Sequence, residues 1–203
     1  VEIIGYILVA LGSYLLGSIP TGYLVARARG IDIRTVGSGN IGATNVMRTL
    51  GKPLGIFVLF MDALKGWLAV KAIVPLAVSV GACPVCVGVQ CLGGFSAILG
   101  HNYPCWLKFK GGKGIATSAG VFLALTPLPF GIALVTWIIF FLATRYVSVA
   151  SIAAAVALPA AAWLMPGDLT LKLITTLVGA LAICKHKANI QRLLNGTENR
   201  VGS

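Results

Sequence analysis

The sequence predicts an all-α integral membrane protein: a bundle of seven transmembrane helices, with the N-terminus outside and the C-terminus in the cytoplasm. Three observations carry that expectation. Of 203 residues, 58% are hydrophobic and only 10% are charged, where a soluble domain carries about 25% charged residues. Mean hydropathy is +0.94, and apolar runs of about 18 residues or more recur along the chain. The basic residues gather on one side when seven spans are drawn. Strand-like alternation over about 10 residues, which a membrane barrel needs, is missing.

The first apolar run, Val1 to Ala26, is too long for a signal-peptide core and lacks a basic leader and a small-residue cleavage site. It reads as a retained span. Further spans are expected at about 54–74, 82–100, 115–126, 128–144, 147–165 and 170–185. The fourth is short, about 18 Å at 1.5 Å per residue, and crosses only where the bilayer thins or the bundle packs around it. The alternative merges 115–144 into one span bent at Thr126-Pro127-Leu128-Pro129. Parity decides between them. With seven spans, Arg27, Arg34, Arg48, Lys113, Arg145, Lys185 and the remaining loop bases share the cytoplasmic side, and the outer loops hold mainly Asp168 and Lys172. Merging would move Arg145 and the basic tail across, against the positive-inside rule. No repeat or low-complexity tract divides the chain, so one domain over 1–203 is expected, with a tail that frays beyond Glu198.

Sixteen Lys and Arg against five Asp and Glu give a net charge of +11. Positive-inside loops near anionic headgroups account for that surplus. Aromatic interleaving suited to base stacking is absent, so nucleic acid is not an expected partner. The acids, Glu2, Asp32, Asp62, Asp168 and Glu198, are scattered. They form no cluster for catalytic Mg²⁺. Cys83-Pro84-Val85-Cys86 has redox or metal spacing, but a zinc site would need a second pair. Cys83, Cys86 and Cys91 read as small apolar filler. No metal and no cofactor are expected.

Three polar, glycine- and base-rich segments then share the cytoplasmic face: 37–52, 101–117 and 185–196. Each alone is an ordinary positive-inside loop, and together they point to a common site. In VGSGNIGATNVMRTLG (36–51), Gly37, Gly39 and Gly42 permit positive φ, so successive backbone N–H groups can face one anion. Ser38, Asn40, Thr44 and Asn45 add neutral donors. A helix is expected next, with Thr44 or Asn45 as its N-cap and Gly51 and Pro53 as its stop. Arg48 lies one turn in. Backbone donors at a helix N-terminus with a nearby Arg suit a phosphate. The bland alternative is a re-entrant connector whose glycines serve packing.

In HNYPCWLKFKGGKGIAT (101–117), a nucleotide P-loop is not expected. That pattern needs Gly at 107 and Ser or Thr at 114, where Leu107 and Gly114 stand. Gly111, Gly112 and Gly114 open the fourth span, whose positive dipole end faces the cytoplasm. Lys113 is placed to meet an anion there, with Thr117 within about a turn. Lys108 and Lys110 read as headgroup anchors, and Lys110 is also retained as a candidate ligand. A lone His such as His101 more often serves structure than catalysis, but it borders this loop and stays a candidate for substrate binding.

KHKANIQRLLNG (185–196) is expected to continue the seventh helix, with His186, Ile190 and Leu193 on one face, Asn189 beside them, and Lys185, Lys187, Gln191 and Arg192 toward the other. His186 and Asn189 are i,i+3 neighbours able to act on one substrate. Ser148, in the turn 145–148, can join them. Asp62 and Lys65 read as a structural i,i+3 ion pair. Neither His is followed at the fifth position by Asp (Trp106 and Gln191 stand there), and no G-x-S-x-G elbow occurs. Chemistry on phosphate-bearing substrates without a metal fits this inventory. An organophosphate transporter is the competing class, but such proteins place the site near the midplane between repeated halves.

Together, GSGNIGATNVMR (37–48), GHNYPCWLKFKGGKGIAT (100–117), KHKANIQRL (185–193) and RYVSVAS (145–151) resemble the acyl-phosphate:glycerol-3-phosphate acyltransferase family of the PlsY type. The resemblance runs from about residue 12 to 198. It departs at Cys105, where the family has an apolar residue, and at Cys83–Cys91. It implies a seven-helix bundle in the bacterial inner membrane, with its site at the cytoplasmic face. It also implies transfer of a fatty acyl group from acyl phosphate to glycerol 3-phosphate, giving lysophosphatidic acid, with transient contact to a soluble acyl-phosphate synthase. On that footing Lys113, Arg48 and the glycine loops neutralise phosphates, His186 and Asn189 orient the attacking hydroxyl, and Ser38 is the alternative nucleophile. Lys113→Ala and His186→Ala are each expected to abolish turnover in purified, folded protein. Ser38→Ala is expected to keep most of kcat, whereas an acylated Ser38 trapped by mass spectrometry would overturn direct transfer.

Overall fold

A computed structural model describes residues 2–84 and 86–202. Val85, inside the CPVC stretch, lies outside the described residues, as do Val1 and Ser203. Helices account for the regular structure throughout, and the chain forms two compact units that meet in sequence between Leu125 and Thr126.

The first unit holds α1 (Glu2–Gly17), α2 (Thr21–Arg27), α3 (Ala43–Leu50), α4 (Lys52–Leu68), α5 (Val74–Ser79), α6 (Val87–Asn102) and α7 (Ile115–Leu125). A π-helical turn, Ala69–Ile73, joins α4 to α5, and a 3₁₀ turn, Cys105–Leu107, follows α6. The second unit holds α8 (Pro127–Thr144), α9 (Val147–Leu164), α10 (Leu169–Lys185) and α11 (Lys187–Leu194).

By length and apolarity, three stretches suffice to cross a membrane: Ile3–Arg27, Pro127–Thr144 and Val147–Leu164. A fourth is added if α10 and α11, bent by 53° at their junction, count as one span. Among the other expected spans, α7 has only 11 residues, and α4 carries Asp62 and Lys65 in its interior. The third expected span begins at Val87 rather than 82, because Gly81 adopts φ +68 and ends the α5 turn, with Pro84 following. The first is interrupted between Gly17 and Thr21, where Pro20 has no N–H to offer and its ring excludes the carbonyl four residues back.

The outward faces are apolar. Ile3, Ile7, Leu11 and Leu15 of α1, Ile56 and Phe60 of α4, and Val135, Ile139 and Leu142 of α8 are all exposed, as expected of helices whose solvent is lipid. Lipid supplies no hydrophobic drive between helices, so contact depends on close backbone approach. Glycine provides it here. A Cβ on Gly17 of α1 would strike the Ala97 carbonyl of α6, and one on Gly100 of α6 would strike the Tyr14 carbonyl of α1. Gly66 of α4 is equally tight against the Thr117 carbonyl of α7, and Gly120 of α7 against the Ala63 carbonyl of α4. In the second unit Gly179 of α10 abuts the Ala155 carbonyl of α9. Two tryptophans stitch that unit further. Trp137 Nε1–H donates to Ser151 Oγ (3.2 Å) and Trp163 Nε1–H to Thr176 Oγ1 (3.0 Å).

Gly120→Val forces branched carbon atoms onto a backbone carbonyl, and overpacking of this kind costs about 1–3 kcal/mol. The apparent Tm of the purified protein in detergent is expected to fall for Gly120→Val and to stay unchanged for Gly131→Ala, where an added Cβ meets nothing within 4 Å.

Candidate active site

The glycine loop ahead of α3 is shaped by Asn45, whose side chain is buried. Its Oδ1 accepts the Ser38 N–H (2.9 Å), and its Nδ2 donates to the carbonyls of Ile33 (3.2 Å), Val36 (3.1 Å) and Asn40 (2.9 Å). Gly37 and Gly39 lie at φ +58 and +67, and a Cβ on Gly37 would collide with Asn45 Oδ1. Two sequence expectations are corrected. Gly42 has φ −75 and is itself the N-cap of α3, so Thr44 and Asn45 lie inside the first turn. The reason is that the Gly42 N–H bonds Asn40 Oδ1 (2.8 Å), which holds it extended. The loop is also not a continuous row of outward donors. The N–H groups of Ser38 and Gly39 are held by Asn45 Oδ1 and the Val36 carbonyl (3.0 Å). The donors that remain at the head of α3 are those of Ala43 and Thr44, which no intrahelical carbonyl can reach. Ser38 and Arg48 are exposed and Thr44 is half-buried.

Ahead of this loop Asp32 accepts a fork from Arg34, with Nη2–Oδ2 at 2.6 Å and Nε–Oδ1 at 2.9 Å. Those hydrogen bonds lower the Asp32 carboxyl to about 2. The Arg34 guanidinium also lies 4.9 Å over the Tyr23 ring, so this loop base is already committed.

The second segment is pinned to the end of α6. The N–H groups of Gly111 and Gly112 donate to the carbonyls of Asn102 (3.2 Å) and His101 (3.0 Å). A Cβ on Gly112 would collide with His101 Nε2, and one on Gly114, at φ +78, would press on Asn102 Oδ1. Gly114 directly precedes α7 and accepts the Ser118 N–H (2.7 Å). Lys113 is half-buried between the two glycines, and Lys110 is exposed. Thr117 is fully buried and packs on Gly66 of α4.

His101 does not stand alone. It is buried together with Asp62 and Lys65. The Lys65 ammonium lies 2.8 Å from Asp62 Oδ1, 2.9 Å from the Ile19 carbonyl and 3.1 Å from His101 Nδ1. The pair read as self-contained from its i,i+3 spacing is therefore part of a larger cluster.

In the second unit the expected straight continuation of α10 is corrected: the helix bends by 53° at His186. The buried His186 ring turns back, with Nδ1 2.7 Å from the Ala182 carbonyl. A carbonyl only accepts, so the ring hydrogen sits on Nδ1, and in the neutral imidazole Nε2 is the basic nitrogen. Asn189 is buried, and Lys187 and Gln191 are exposed, as the wheel predicts; Lys185 and Arg192, expected with the exposed pair, are half-buried, because Arg192 turns to the same Glu198 carboxylate as Asn189.

Glu198 is the residue of the candidate site that sequence reasoning missed. Its Oε1 accepts Asn189 Nδ2–H (2.6 Å) and Ser148 Oγ–H (2.9 Å), and its Oε2 accepts Arg192 Nε–H (2.7 Å). The tail expected to fray beyond it is held, because the Val201 N–H donates to the Arg145 carbonyl (2.9 Å). Burial alone would raise the Glu198 carboxyl, but hydrogen bonds from Asn189, Arg192 and Ser148 outweigh it, so the net shift is downward.

A family model described as glycerol-3-phosphate acyltransferase matches residues 7–196. The chain belongs to that family. Glycerol-3-phosphate acyltransferases of Geobacter metallireducens and Geotalea daltonii are 50% and 47% identical to it over 194 and 193 residues, covering 96% and 95% of this chain and 96% of each relative. Two solved structures of PlsY, described as an integral membrane glycerol 3-phosphate acyltransferase, share its fold. The glycerol 3-phosphate form has a TM-score of 0.88 at 39% identity, covering 97% of this chain and 96% of that one. The lysophosphatidic acid form has a TM-score of 0.85 at 38% identity, covering 97% and 95%. For this member of the glycerol-3-phosphate acyltransferase family, the all-helical build with apolar outer faces is that of an integral membrane protein.

A carboxyl lowered on folding contributes stability that is present above its unfolded value and lost as pH falls through the folded one. The stability contributed by Glu198 is therefore expected to disappear below its ordinary value of 4.5. Melting curves recorded from pH 7 to pH 3 should show Glu198→Gln less stable than wild type at pH 7, with the difference closing at the acid end.

Proposed function

We propose that this protein transfers a fatty acyl group from acyl phosphate to the 1-hydroxyl of sn-glycerol 3-phosphate. The products are lysophosphatidic acid and inorganic phosphate, in the first acylation step of bacterial phospholipid synthesis. The observation that carries the reading is the likeness to two solved relatives, one named for its glycerol 3-phosphate form and the other for its lysophosphatidic acid form. Those names describe the acceptor and the product of one such transfer.

In the proposed reaction the glycerol oxygen attacks the acyl carbonyl carbon. The new ester C–O bond forms as the bond from carbon to the phosphate oxygen breaks, and phosphate leaves with the electron pair. The hydroxyl proton passes to His186 Nε2 or to an oxygen of the donor's own phosphate. His186, held by its bond to the Ala182 carbonyl, and Asn189, held by Glu198, orient the hydroxyl. Lys113, Arg48 and the N–H groups at the head of α3 bring two phosphate-bearing molecules together against their mutual repulsion. Ser38, Gly37, Gly39, Asn40 and Gly42 complete the α3 side, with Gly111, Gly112 and Gly114 beside Lys113. Asn45, Thr117 and Ser148 support these groups from within. We place the chain in the inner membrane with seven spans, N-terminus out, C-terminus in and the site facing the cytoplasm. There membrane lipid surrounds it and a soluble acyl-phosphate synthase can dock transiently.

Purified protein in detergent or lipidic mesophase, given acyl phosphate and glycerol 3-phosphate, is expected to release one phosphate per lysophosphatidic acid formed, and to form none from acyl-CoA. Folded protein that releases no phosphate would overturn the proposal, and turnover with acyl-CoA alone would overturn the assigned donor.

A further inference from the structure

The buried Asp62–Lys65–His101 cluster, of which only His101 was a substrate-binding candidate, touches the lysine loop at its most crowded point. Lys65 as an ammonium has three protons, and three acceptors surround it: Asp62 Oδ1 (2.8 Å), the Ile19 carbonyl (2.9 Å) and His101 Nδ1 (3.1 Å). A proton donated to Nδ1 leaves the imidazole's own hydrogen on Nε2. The competing arrangement, with Nδ1–H on Asp62, spans 3.6 Å and is too long for a hydrogen bond. Lys65 therefore holds the Nδ1 edge of the His101 ring, and Asp62, its ion-pair partner at 2.8 Å, holds Lys65. The ring in turn lies where a Cβ on Gly112 would be, and the His101 backbone carbonyl accepts the Gly112 N–H at 3.0 Å. Gly112 is the residue immediately before Lys113.

We propose that Asp62 and Lys65 are positioning residues for the phosphate-binding loop: through His101 they fix the backbone at Gly111–Gly114, and with it the place from which Lys113 reaches a substrate phosphate. The proposal rests on the functional reading above for its effect on turnover, but not for its effect on the loop. A purely structural ion pair would hold α4 to the α1–α2 break at Ile19 and have no reason to meet the loop through His101. Displacement of a catalytic group by about 1 Å costs about 10²-fold in rate, so loss of the pair should slow catalysis in protein that still folds, beyond whatever it costs in stability.

The test uses the double variant Asp62→Asn/Lys65→Met, which removes both charges together, since removing one would leave an unpaired buried charge. Three quantities are read on the full-length protein: kcat/KM for phosphate release, apparent Tm, and hydrogen exchange over a peptide covering 108–116. The expected result is a fall in kcat/KM of about 10²-fold measured below the variant's own Tm, with exchange at Gly111 and Gly112 quickened more than in the rest of the first unit. Wild-type turnover and wild-type exchange in the folded double variant would overturn the proposal. If the double variant does not fold, His101→Asn decides. It keeps a polar atom near Nδ1 for Lys65 and removes the ring edge at Gly112, so slowed turnover with quickened loop exchange supports the proposal and wild-type values overturn it. If the wild-type protein transfers no acyl group, the functional reading fails by itself, and loop exchange in the same variants still decides the positioning role.

Discussion

In a lipid solvent, a backbone carbonyl released from its helix must find a donor within the protein. At Pro20, which interrupts the first helix, the Ile19 carbonyl takes the Thr21 N–H at 3.0 Å. Lys65, from the middle of an otherwise apolar helix, adds a second, charged donor at 2.9 Å, and its charge requires Asp62 one turn away. Much of the first unit follows from that exchange. The ammonium ties the α1–α2 break to α4 and also meets His101 near the end of α6. A buried charge is costly in hydrocarbon, and here its cost is offset by bonds that organise three helices.

Two further polar side chains do comparable work with opposite chemistry. Asn45 supplies donors to three loop carbonyls and an acceptor to one N–H, a set that an amide alone can satisfy. Glu198 only accepts, and gathers a hydroxyl, an amide and a guanidinium. Each gathers several groups at once, so the flexible-looking glycine and tail segments are held near the residues expected to meet substrate. Preorganisation of this kind lets hydrogen-bonding groups act on developing charge without first rearranging.

The three polar segments were legible because glycine, lysine and asparagine stand out against an apolar background, and the wheel of 185–196 sorted His186 and Asn189 from Lys187 and Gln191. The helix stop at Gly51 was readable from local chemistry. What escaped depends on particular side-chain bonds that residue type and periodicity do not announce, some of them far along the chain. Glycine at 37, 39 and 42 permits positive φ at all three, but the Asn40 side chain holds Gly42 extended, and nothing in the triplet itself distinguishes it. Lys65 and His101 are 36 residues apart, so the spacing of Asp62 and Lys65 suggested a closed pair. Glu198 sits among Asn, Gly and Thr and reads as a solvated tail residue until Ser148 and Asn189 are folded onto it. The bend at His186 arises from a side chain competing for its own helix's carbonyl, which periodicity does not register.

The glycine seams also bear on how the molecule can move. Helices separated by a layer of side chains can slide by small rotamer changes, the basis of shear motion. Where Gly66 and Gly120 bring α4 and α7 backbone to backbone, and Gly17 and Gly100 do the same for α1 and α6, no such layer exists to absorb displacement. Each pair behaves as one strut. Any opening that admits an acceptor or releases a two-part amphiphile then falls to the connectors between struts, so the compliance of this enzyme resides in its loops while its helices serve as the frame.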